Sequence, residues 1–343
     1  MKSKRIDWID IAKGITILLV IVGHSVGGRV KGMIYTFHMP LFFILSCTTY
    51  RLSEDGNDLL RKSERGFRHL FLPAAKFYLL KTGIQMLQER AYLATLSLEG
   101  WKQYLANLIT VFVAGSGVHL RIRDIQIEPV GIPWFLMALF LGRCLFDYLH
   151  LRLSRKGFYA SLAVCSLLGL FFGSVQWLPF SFDIALAIQP LFLFGVWLRS
   201  YPMEKKTWRT FGLCFAVWFA LYLLFRYGAH NSYLELTRRL YPLYPLCFVG
   251  AVAGTMMVSS FSQLILPLRW IGPALRYLGK HSMVMLWVHY FDSFWIFSFN
   301  RESYGPLNHI LVNTAIRVVL DIVIFCLIMA VKEFVKRRRK QEA

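Results

Sequence analysis

The chain has 343 residues, of which 56% are hydrophobic and 16% aromatic, and its mean hydropathy is +0.48. This composition excludes an ordinary soluble globular protein. A formal net charge of +20 would suggest nucleic acid in a soluble chain, but the basic residues lie between apolar segments and report membrane topology, so no nucleic-acid partner is expected. We predict an all-α polytopic protein of the lipid bilayer. Residues 1–343 form one membrane-embedded domain, and 332–343 form a basic cytoplasmic tail.

Ten apolar segments are each long enough to cross about 30 Å of hydrocarbon. They are predicted at about 9–27, 34–50, 70–88, 133–149, 158–176, 183–199, 210–227, 241–261, 282–298 and 308–331. An odd number of spans would place the basic run Lys336–Lys340 outside, against the positive-inside bias. We therefore predict about ten transmembrane helices with both termini cytoplasmic. The ambiguous apolar stretch 101–116 becomes a re-entrant or interfacial element.

Three ionisable residues share one face of the first span. Lys13 and His24 are eleven positions apart, so they lie within about 20° of the same helix face, and Asp10 falls on the same stripe. Ionisable groups inside a membrane are costly and usually mark a functional site. The alternative is a lysine that snorkels to the headgroups and a histidine that makes polar contacts between helices.

A second histidine is predicted at a similar depth. The second span begins Phe37-His38-Met39-Pro40 and runs inward, so His38 can converge with His24 near the outer face. Imidazole suits proton transfer near neutral pH. With no cysteine or carboxylate triplet nearby in sequence, an acid/base site is favoured over a metal site, and no metal is expected. The alternative for His38 is an interfacial histidine at a helix start.

A basic cluster precedes the third span on the predicted cytoplasmic side. It comprises Arg61, Lys62, Arg65 and Arg68, and Pro73 follows in the first turn of the span. Arg65 and Arg68 are three apart and share a helical face. An arginine pair suits the phosphates of coenzyme A or a nucleotide. The alternative is an ordinary positive-inside cluster, and no Gly-rich phosphate loop is present.

Later spans contribute two further candidates. Trp134 opens the fourth span and is either an aromatic-belt residue or a substrate-stacking ring. His289 lies in the ninth span and either joins the histidine cluster or hydrogen-bonds a neighbouring helix. Pro242 and Pro245 are predicted as kinks in the eighth span.

These motifs resemble those of the acyltransferase-3 family of bacterial membrane acyltransferases, and are most similar to its fucose 4-O-acetylase-like branch. The motifs that carry the resemblance are Arg5 through Gly14 followed by Gly23-His24, Phe37-His38-Met39-Pro40-Leu41-Phe42-Phe43, Arg65-Gly-Phe-Arg68, Pro133-Trp134-Phe135-Leu136, and Leu278-Gly279-Lys280 through His289.

The resemblance implies a ten-helix enzyme of the bacterial plasma (inner) membrane. Acetyl-CoA from the cytosol would be the acyl donor, and a hydroxyl of a sugar or glycan, free or lipid-linked, would be the acceptor. His24 would be the base or transient acyl carrier, supported by Lys13, while Arg65 and Arg68 would hold the coenzyme A phosphates. Acetyl versus longer acyl donors, direct transfer versus an acyl-histidine, and the oligomeric state stay open.

The main alternative is a transporter or exporter of a small metabolite or glycan. Such proteins commonly have repeats and broken helices near the midplane, and neither is evident from the sequence. Buried Asp10, Lys13 and His24 would also suit proton-coupled transport. Arg65 and Arg68 discriminate, because coenzyme A capture requires them. A purely structural scaffold would not explain so many buried ionisable groups.

Overall fold

The computed structural model describes residues 6–122, 125–205, 207–228, 232–295 and 306–341. The α-helices of this part of the chain are α1 (Asp7–Ser25), α2 (Gly28–Tyr35), α3 (His38–Thr48), α4 (Gly56–Gly66), α5 (Leu72–Gln88), α6 (Arg90–Leu93), α7 (Leu98–Ala114), α8 (Pro133–Arg152), α9 (Arg155–Val175), α10 (Phe182–Ala187), α11 (Gln189–Leu198), α12 (Thr207–Leu223), α13 (Leu246–Ile265), α14 (Ile271–Lys280), α15 (Ser282–Phe291) and α16 (Pro306–Gln341).

Short elements complete the fold. π-helical turns cover Phe67–Phe71 and Leu224–Gly228, and 3-10 turns cover Pro179–Ser181, Met203–Lys205, Leu236–Arg238 and Asp292–Phe294. A two-stranded antiparallel hairpin pairs Leu120–Ile122 with Ile125–Ile127.

Within the described residues, seven helices are long and apolar enough to cross a membrane. They are Asp7–Ser25, Gly28–Thr48, Pro133–Arg152, Arg155–Val175, Thr207–Gly228, Leu246–Ile265 and Asn308–Arg339. An eighth candidate is the pair Pro179–Ala187 and Gln189–Leu198, which is bent by 57°. The prediction of an all-α polytopic membrane protein is confirmed.

The number of spans and the cytoplasmic termini stay predictions. The predicted span 70–88 is α5, and 282–298 begins as the short α15, with residues 296–298 outside the described part. The stretch 101–116 falls in α7, whose 17 residues measure about 25 Å. The predicted tail continues α16 as a helix to Gln341, and residues 342–343 lie outside the described part.

Pro242 and Pro245 do not kink a span, contrary to the sequence prediction. Helix α13 begins at Leu246, after both prolines. A proline has no backbone N–H and clashes with the preceding turn, so it is tolerated before a helix far better than within one. The eighth span therefore starts later than predicted.

The described residues form two compact units, while the single domain expected from the sequence stays a prediction. Unit 1 comprises Met1–His38, Pro202–Tyr233 and Val249–Ala343, and unit 2 comprises Met39–Tyr201 and Leu234–Phe248. In unit 1, α1 contacts α2, α14, α15 and α16. In unit 2, α8 contacts α4, α5, α9, α10 and α11.

Glycines allow the closest helix contact of unit 1. A side chain added at Gly279 of α14 would overlap the backbone carbonyl of Asp10, and one added at Gly14 of α1 would overlap the carbonyl of Leu275. Only glycine lets two helix backbones approach this closely. The glycines of two sequence motifs thus pack the first span directly onto α14.

Candidate active site

His24 lies in the last turn of α1 and is an exposed residue. The rings of His24 and His289 meet edge to face with centroids 5.1 Å apart. Tyr35 lies 6.3 Å from His24 and 4.6 Å from His38, again between ring centroids. Unit 1 therefore brings three predicted histidines together. His289 and His38 are buried, with 3% and 4% of each residue exposed, so His24 is the member of the group that a substrate can reach.

The position of His38 follows from the packing of α12 and α13 in unit 1. The indole N–H of Trp218 donates to the Thr36 hydroxyl at 2.8 Å, in a buried hydrogen bond. The Phe37 ring packs where Gly254 of α13 leaves room for it. His38 Nδ1 lies 3.0 Å from the carbonyl oxygen of Ile34. These contacts hold the turn between α2 and α3, and with it the His38 ring.

Two carboxylates hold the His289 ring. His289 Nδ1 lies 2.7 Å from Asp292 Oδ2 and 3.2 Å from Asp321 Oδ2, and all three side chains are buried. An N–H at Nδ1 can donate to both oxygens, which determines the orientation of the ring. The other oxygen of Asp321 has no hydrogen-bond partner among the described residues.

Arg317 connects this carboxylate pair to the end of α1. Its Nε donates to Asp292 Oδ2 at 2.6 Å. Its Nη1 donates to the His24 carbonyl oxygen at 3.3 Å and contacts Ser25 Oγ at 3.4 Å. One guanidinium therefore contacts both the backbone that carries His24 and the carboxylate that orients His289.

The sequence interpretation missed Asp292, Arg317 and Asp321. A signal was available, because all three are ionisable residues within predicted apolar spans, the same feature that singled out Lys13 and His24. Arg317 and Asp321 are four residues apart on α16 and so share a helical face. Asp292 follows His289 by three residues, so the spacing along the chain could have suggested their contact. The contacts of Asp321 with His289 and of Arg317 with Asp292 are tertiary facts.

The cluster of His289, Asp292 and Asp321 could also be considered as a metal site. Their ligand atoms lie within 4.8 Å of one another, and such residues bind zinc or iron in many proteins. The sequence argument against a metal assumed that no carboxylates were near the histidines, and it fails here. However, the Arg317 guanidinium donates a hydrogen bond to Asp292 Oδ2 at 2.6 Å, and its positive charge would repel a metal cation at this oxygen. The arrangement fits acid/base chemistry better.

Asp10 and Lys13 lie in the N-terminal half of α1. The helical rise places Lys13 about 16 Å from His24 along the axis, so the structure does not bring the two side chains into one cluster. Asp10 is buried. Both residues flank the contact between α1 and α14, and a supporting role for Lys13 stays a prediction.

The predicted phosphate-binding residues of unit 2 differ in how they are engaged. Lys62 Nζ lies 2.6 Å from Asp58 and donates to the Leu52 carbonyl at 3.0 Å, with only 19% of its side chain exposed. The hydrogen bond that Lys62 donates to the Asp58 carboxylate holds the pKa of Asp58 below its usual value. The Lys62 ammonium therefore binds groups of the protein itself, at Leu52 and Asp58, which argues against the predicted contact with a coenzyme A phosphate.

The arginines of the cluster remain exposed. Arg61 lies 3.6 Å from Asp58, and Arg68 donates to Glu64 at 2.6 Å, both in solvent-facing pairs. Arg65 has no ion pair or side-chain hydrogen bond among the described residues. Its guanidinium is the most available of the four predicted groups.

The winding of the helix changes between Arg65 and Arg68. Helix α4 continues through the π-helical turn Phe67–Phe71 into α5, in which Pro73 is the second residue. Pro73 cannot supply the N–H that an uninterrupted α-helix needs, and π-turns often occur at functional sites. The spacing of the two arginines predicted that they share one face of a regular α-helix. The structure differs, because the π-helical turn begins between them.

Trp134 is buried in unit 2. Its ring packs against the backbone at Gly117, where an added side chain would overlap it, and lies 6.5 Å from the Phe43 ring. A ring that stacks on a substrate needs an accessible face, and a belt residue needs to face the interface. This burial argues against both predicted roles and assigns Trp134 to the packing of α8.

Taken together, the fold and the site define a multi-pass membrane protein with an accessible histidine beside a buried histidine–carboxylate pair. The model of a family described as an acyltransferase domain matches residues 6–332, nearly the whole chain. The chain belongs to this acyltransferase-3 family and is a membrane acyltransferase, which confirms the resemblance at the family level. The fucose 4-O-acetylase-like branch stays a resemblance. A search of curated proteins found no match.

Proposed function

We propose that this protein transfers an acetyl group from cytosolic acetyl-CoA to a hydroxyl of a sugar or glycan at the outer face of a bacterial inner membrane. The observation that carries the proposal is the contact of exposed His24 with buried His289, which two carboxylates orient. An accessible imidazole beside an oriented partner is the arrangement that general base catalysis of acyl transfer needs.

The chemistry follows from His24 as base. The acceptor hydroxyl gives its proton to the unprotonated nitrogen of His24 while its oxygen attacks the thioester carbonyl carbon. The carbon–sulfur bond then breaks, and the coenzyme A thiolate takes the proton from His24 and leaves as the thiol. In the variant with an acyl carrier, the unprotonated His24 nitrogen attacks the thioester carbonyl carbon, the carbon–sulfur bond breaks, and the coenzyme A thiolate leaves as the thiol with the proton of the other ring nitrogen. The acceptor oxygen then attacks the acyl-imidazole, the carbon–nitrogen bond breaks, and the hydroxyl proton passes to the imidazole.

His289 acts as a positioning residue in this scheme. Its Nδ1–H donates to Asp292 and Asp321, so the ring cannot rotate freely. Its edge-to-face contact then restricts the His24 ring, since aromatic pairs prefer this geometry. A catalytic group held by such a supporting contact keeps its reactive geometry.

Arg65 supports a cytosolic donor. A guanidinium without an internal partner is suited to bidentate contact with a phosphate, and coenzyme A carries several phosphates. Arg68 can contribute if it leaves Glu64, because that pair is exposed and worth little.

One observation bears on the second candidate function, transport. The α10–α11 pair is bent by 57°, contrary to the sequence interpretation that found no broken helix. The buried amide of Gln189 fills the break by donating to the carbonyls of Gly142 and Ala185, at 3.2 Å and 2.7 Å. Broken helices with exposed backbone groups bind substrates in many transporters. Here side chains satisfy two carbonyls of α10, since Gln189 donates to Ala185 and Ser166 Oγ donates to Ala187 at 2.8 Å, which favours a structural bend.

The test is turnover of acetyl-CoA by the full-length protein in nanodiscs. Released coenzyme A thiol and the mass of the acetylated product are followed with a panel of sugars, for wild type, His24→Ala and His150→Ala. His150 is a matched control because it is an exposed histidine of unit 2. Turnover that is lost only in His24→Ala supports the proposal. If the wild-type protein releases no thiol but moves a sugar across proteoliposome membranes, the acetyltransferase proposal is wrong and the transporter hypothesis is favoured.

A further inference from the structure

The short helix α2, which follows α1, carries two basic residues. Arg29 and Lys31 lie two positions apart on it, so they point to nearly opposite faces. On the topology proposed above, α2 lies at the outer face, where loops are normally poor in Lys and Arg. Basic residues at this place therefore call for a reason other than topology.

Lys31 is directed towards the histidines. Its Nζ lies 4.9 Å from the centroid of the Tyr35 ring, a cation–π distance. The Tyr35 and His24 rings are 6.3 Å apart, so the ammonium lies within about 11 Å of His24 (4.9 Å and 6.3 Å in succession). Among the described residues, Lys31 has no carboxylate partner. An aromatic ring holds the ammonium in place and leaves its N–H donors to a ligand.

Arg317 adds positive charge at the same end of α1. Its Nε and Nη1 are engaged with Asp292 and with the His24 backbone, while its Nη2 has no hydrogen-bond partner in the described part of the chain. The side chain is 19% exposed. The two carboxylates nearby, Asp292 and Asp321, are buried and face His289. Among the described residues of unit 1, the accessible charge around His24 is therefore cationic.

We infer that the acceptor is an anionic sugar or glycan, and that Lys31 binds its negative group while the reacting hydroxyl lies at His24. This inference rests on the proposed function and names its substrate class. The shared chemistry is a carboxylate or phosphate oxygen, supplied by a uronic acid or by a sugar phosphate. A distance of up to about 11 Å between the ammonium and the imidazole suits a sugar unit that carries its charge on the same or the next residue.

The experiment compares matched acceptors. Methyl glycosides of glucose, galactose and mannose are each tested beside the corresponding uronate and 6-phosphate, with acetyl-CoA and the full-length protein in nanodiscs. The variants are Lys31→Gln, Lys31→Arg and Arg29→Gln. Arg29→Gln is the matched control, since it removes the same charge from the other face of α2.

We expect wild type to favour an anionic acceptor over its neutral counterpart by about tenfold or more in kcat/KM, as for one charge-assisted hydrogen bond. Lys31→Gln should remove this preference mainly through KM, whereas Lys31→Arg and Arg29→Gln should retain it. The uronate and phosphate arms show which anion is bound.

Three outcomes overturn the inference. His24-dependent acetylation of neutral sugars without preference for anionic ones would leave the proposed function intact and refute the anionic acceptor. A preference that survives in Lys31→Gln would refute the role of Lys31. Absence of His24-dependent thiol release with every acceptor would overturn the proposed function and this inference together.

Discussion

The imidazole of His24 meets that of His289 edge to face at 5.1 Å between ring centroids, although the two residues lie on the first and the ninth predicted spans. One ring is exposed and the other is buried against two carboxylates. His24 can therefore contact a substrate, while His289 orients the His24 ring. Substitutions around His289 should change kcat, and substitutions at packing contacts should change the thermal midpoint.

Substitution of Asp321 should impair chemistry more than binding. Asp321→Asn keeps the shape of the side chain but removes the charge that faces His289 Nδ1 at 3.2 Å. We expect kcat to fall roughly 10–100-fold, as for the loss of a hydrogen bond to a charged group, with little change in KM for acetyl-CoA. Steady-state kinetics in nanodiscs measures both constants. Glu99→Gln, at the exposed pair with Lys102 in unit 2, serves as the control, and an unchanged kcat in Asp321→Asn would contradict the role of His289 as a positioning residue.

Donor binding should depend on Arg65 more than on Lys62. Arg65→Gln removes a guanidinium that has no partner among the described residues, and KM for acetyl-CoA should rise about tenfold. Lys62→Gln should instead lower the thermal midpoint, because Lys62 holds the turn before α4 through Leu52 and Asp58. The pair of variants is compared by kinetics and by thermal denaturation. A larger KM effect from Lys62→Gln would reverse the assignment.

The glycines between α1 and α14 should not tolerate a methyl group. Gly279→Ala forces a side chain against the Asp10 carbonyl, and Gly14→Ala does the same against Leu275. Overpacking of this kind costs about 1–3 kcal/mol, so the thermal midpoint in detergent should fall. Gly212→Ala is the control, because an added side chain there meets nothing within 4 Å. It should be neutral or slightly stabilising, since alanine is the better helix former.

Removing one partner of the buried ion pair between Arg239 and Asp183 should strongly destabilise unit 2. Both side chains are 0% exposed, the two Arg239 nitrogens lie 2.7 Å and 3.1 Å from the Asp183 oxygens, and the guanidinium lies 3.8 Å from the Trp177 ring centroid. Asp183→Asn leaves a buried charge uncompensated, at a cost of about 3–5 kcal/mol.

The control for this prediction is Glu99→Gln, which breaks the exposed pair with Lys102. Exposed pairs contribute little, so its thermal midpoint should match wild type. If both variants melt at the wild-type temperature, the buried pair contributes no net stability.

Some tertiary features escaped prediction because they depend on local exceptions. The bend at Gln189 interrupts a segment whose hydrophobicity alone predicts one continuous span, and the π-helical turn Phe67–Phe71 overlaps the start of the predicted span 70–88. Trp134 resembled an interfacial aromatic because it opens a span, yet α8 turns its ring into unit 2. Hydropathy reports how apolar a segment is, but not which face packs against protein.

What the sequence determined by itself was the membrane class, the family motifs and the candidacy of His24. Apolar length and the cost of burying Lys13 and His24 are properties of one helix, and can be evaluated without knowing its neighbours. The tertiary structure alone decided that His24 is exposed while His289 is buried. It also decided that Asp292 and Asp321 contact His289, and that Arg317 contacts Asp292. The contacts of His24 with His289 and Arg317 join helices separated by hundreds of residues along the chain. Such contacts depend on which helices pack together, and α1 packs closely on α14 because Gly14 and Gly279 have no Cβ atom.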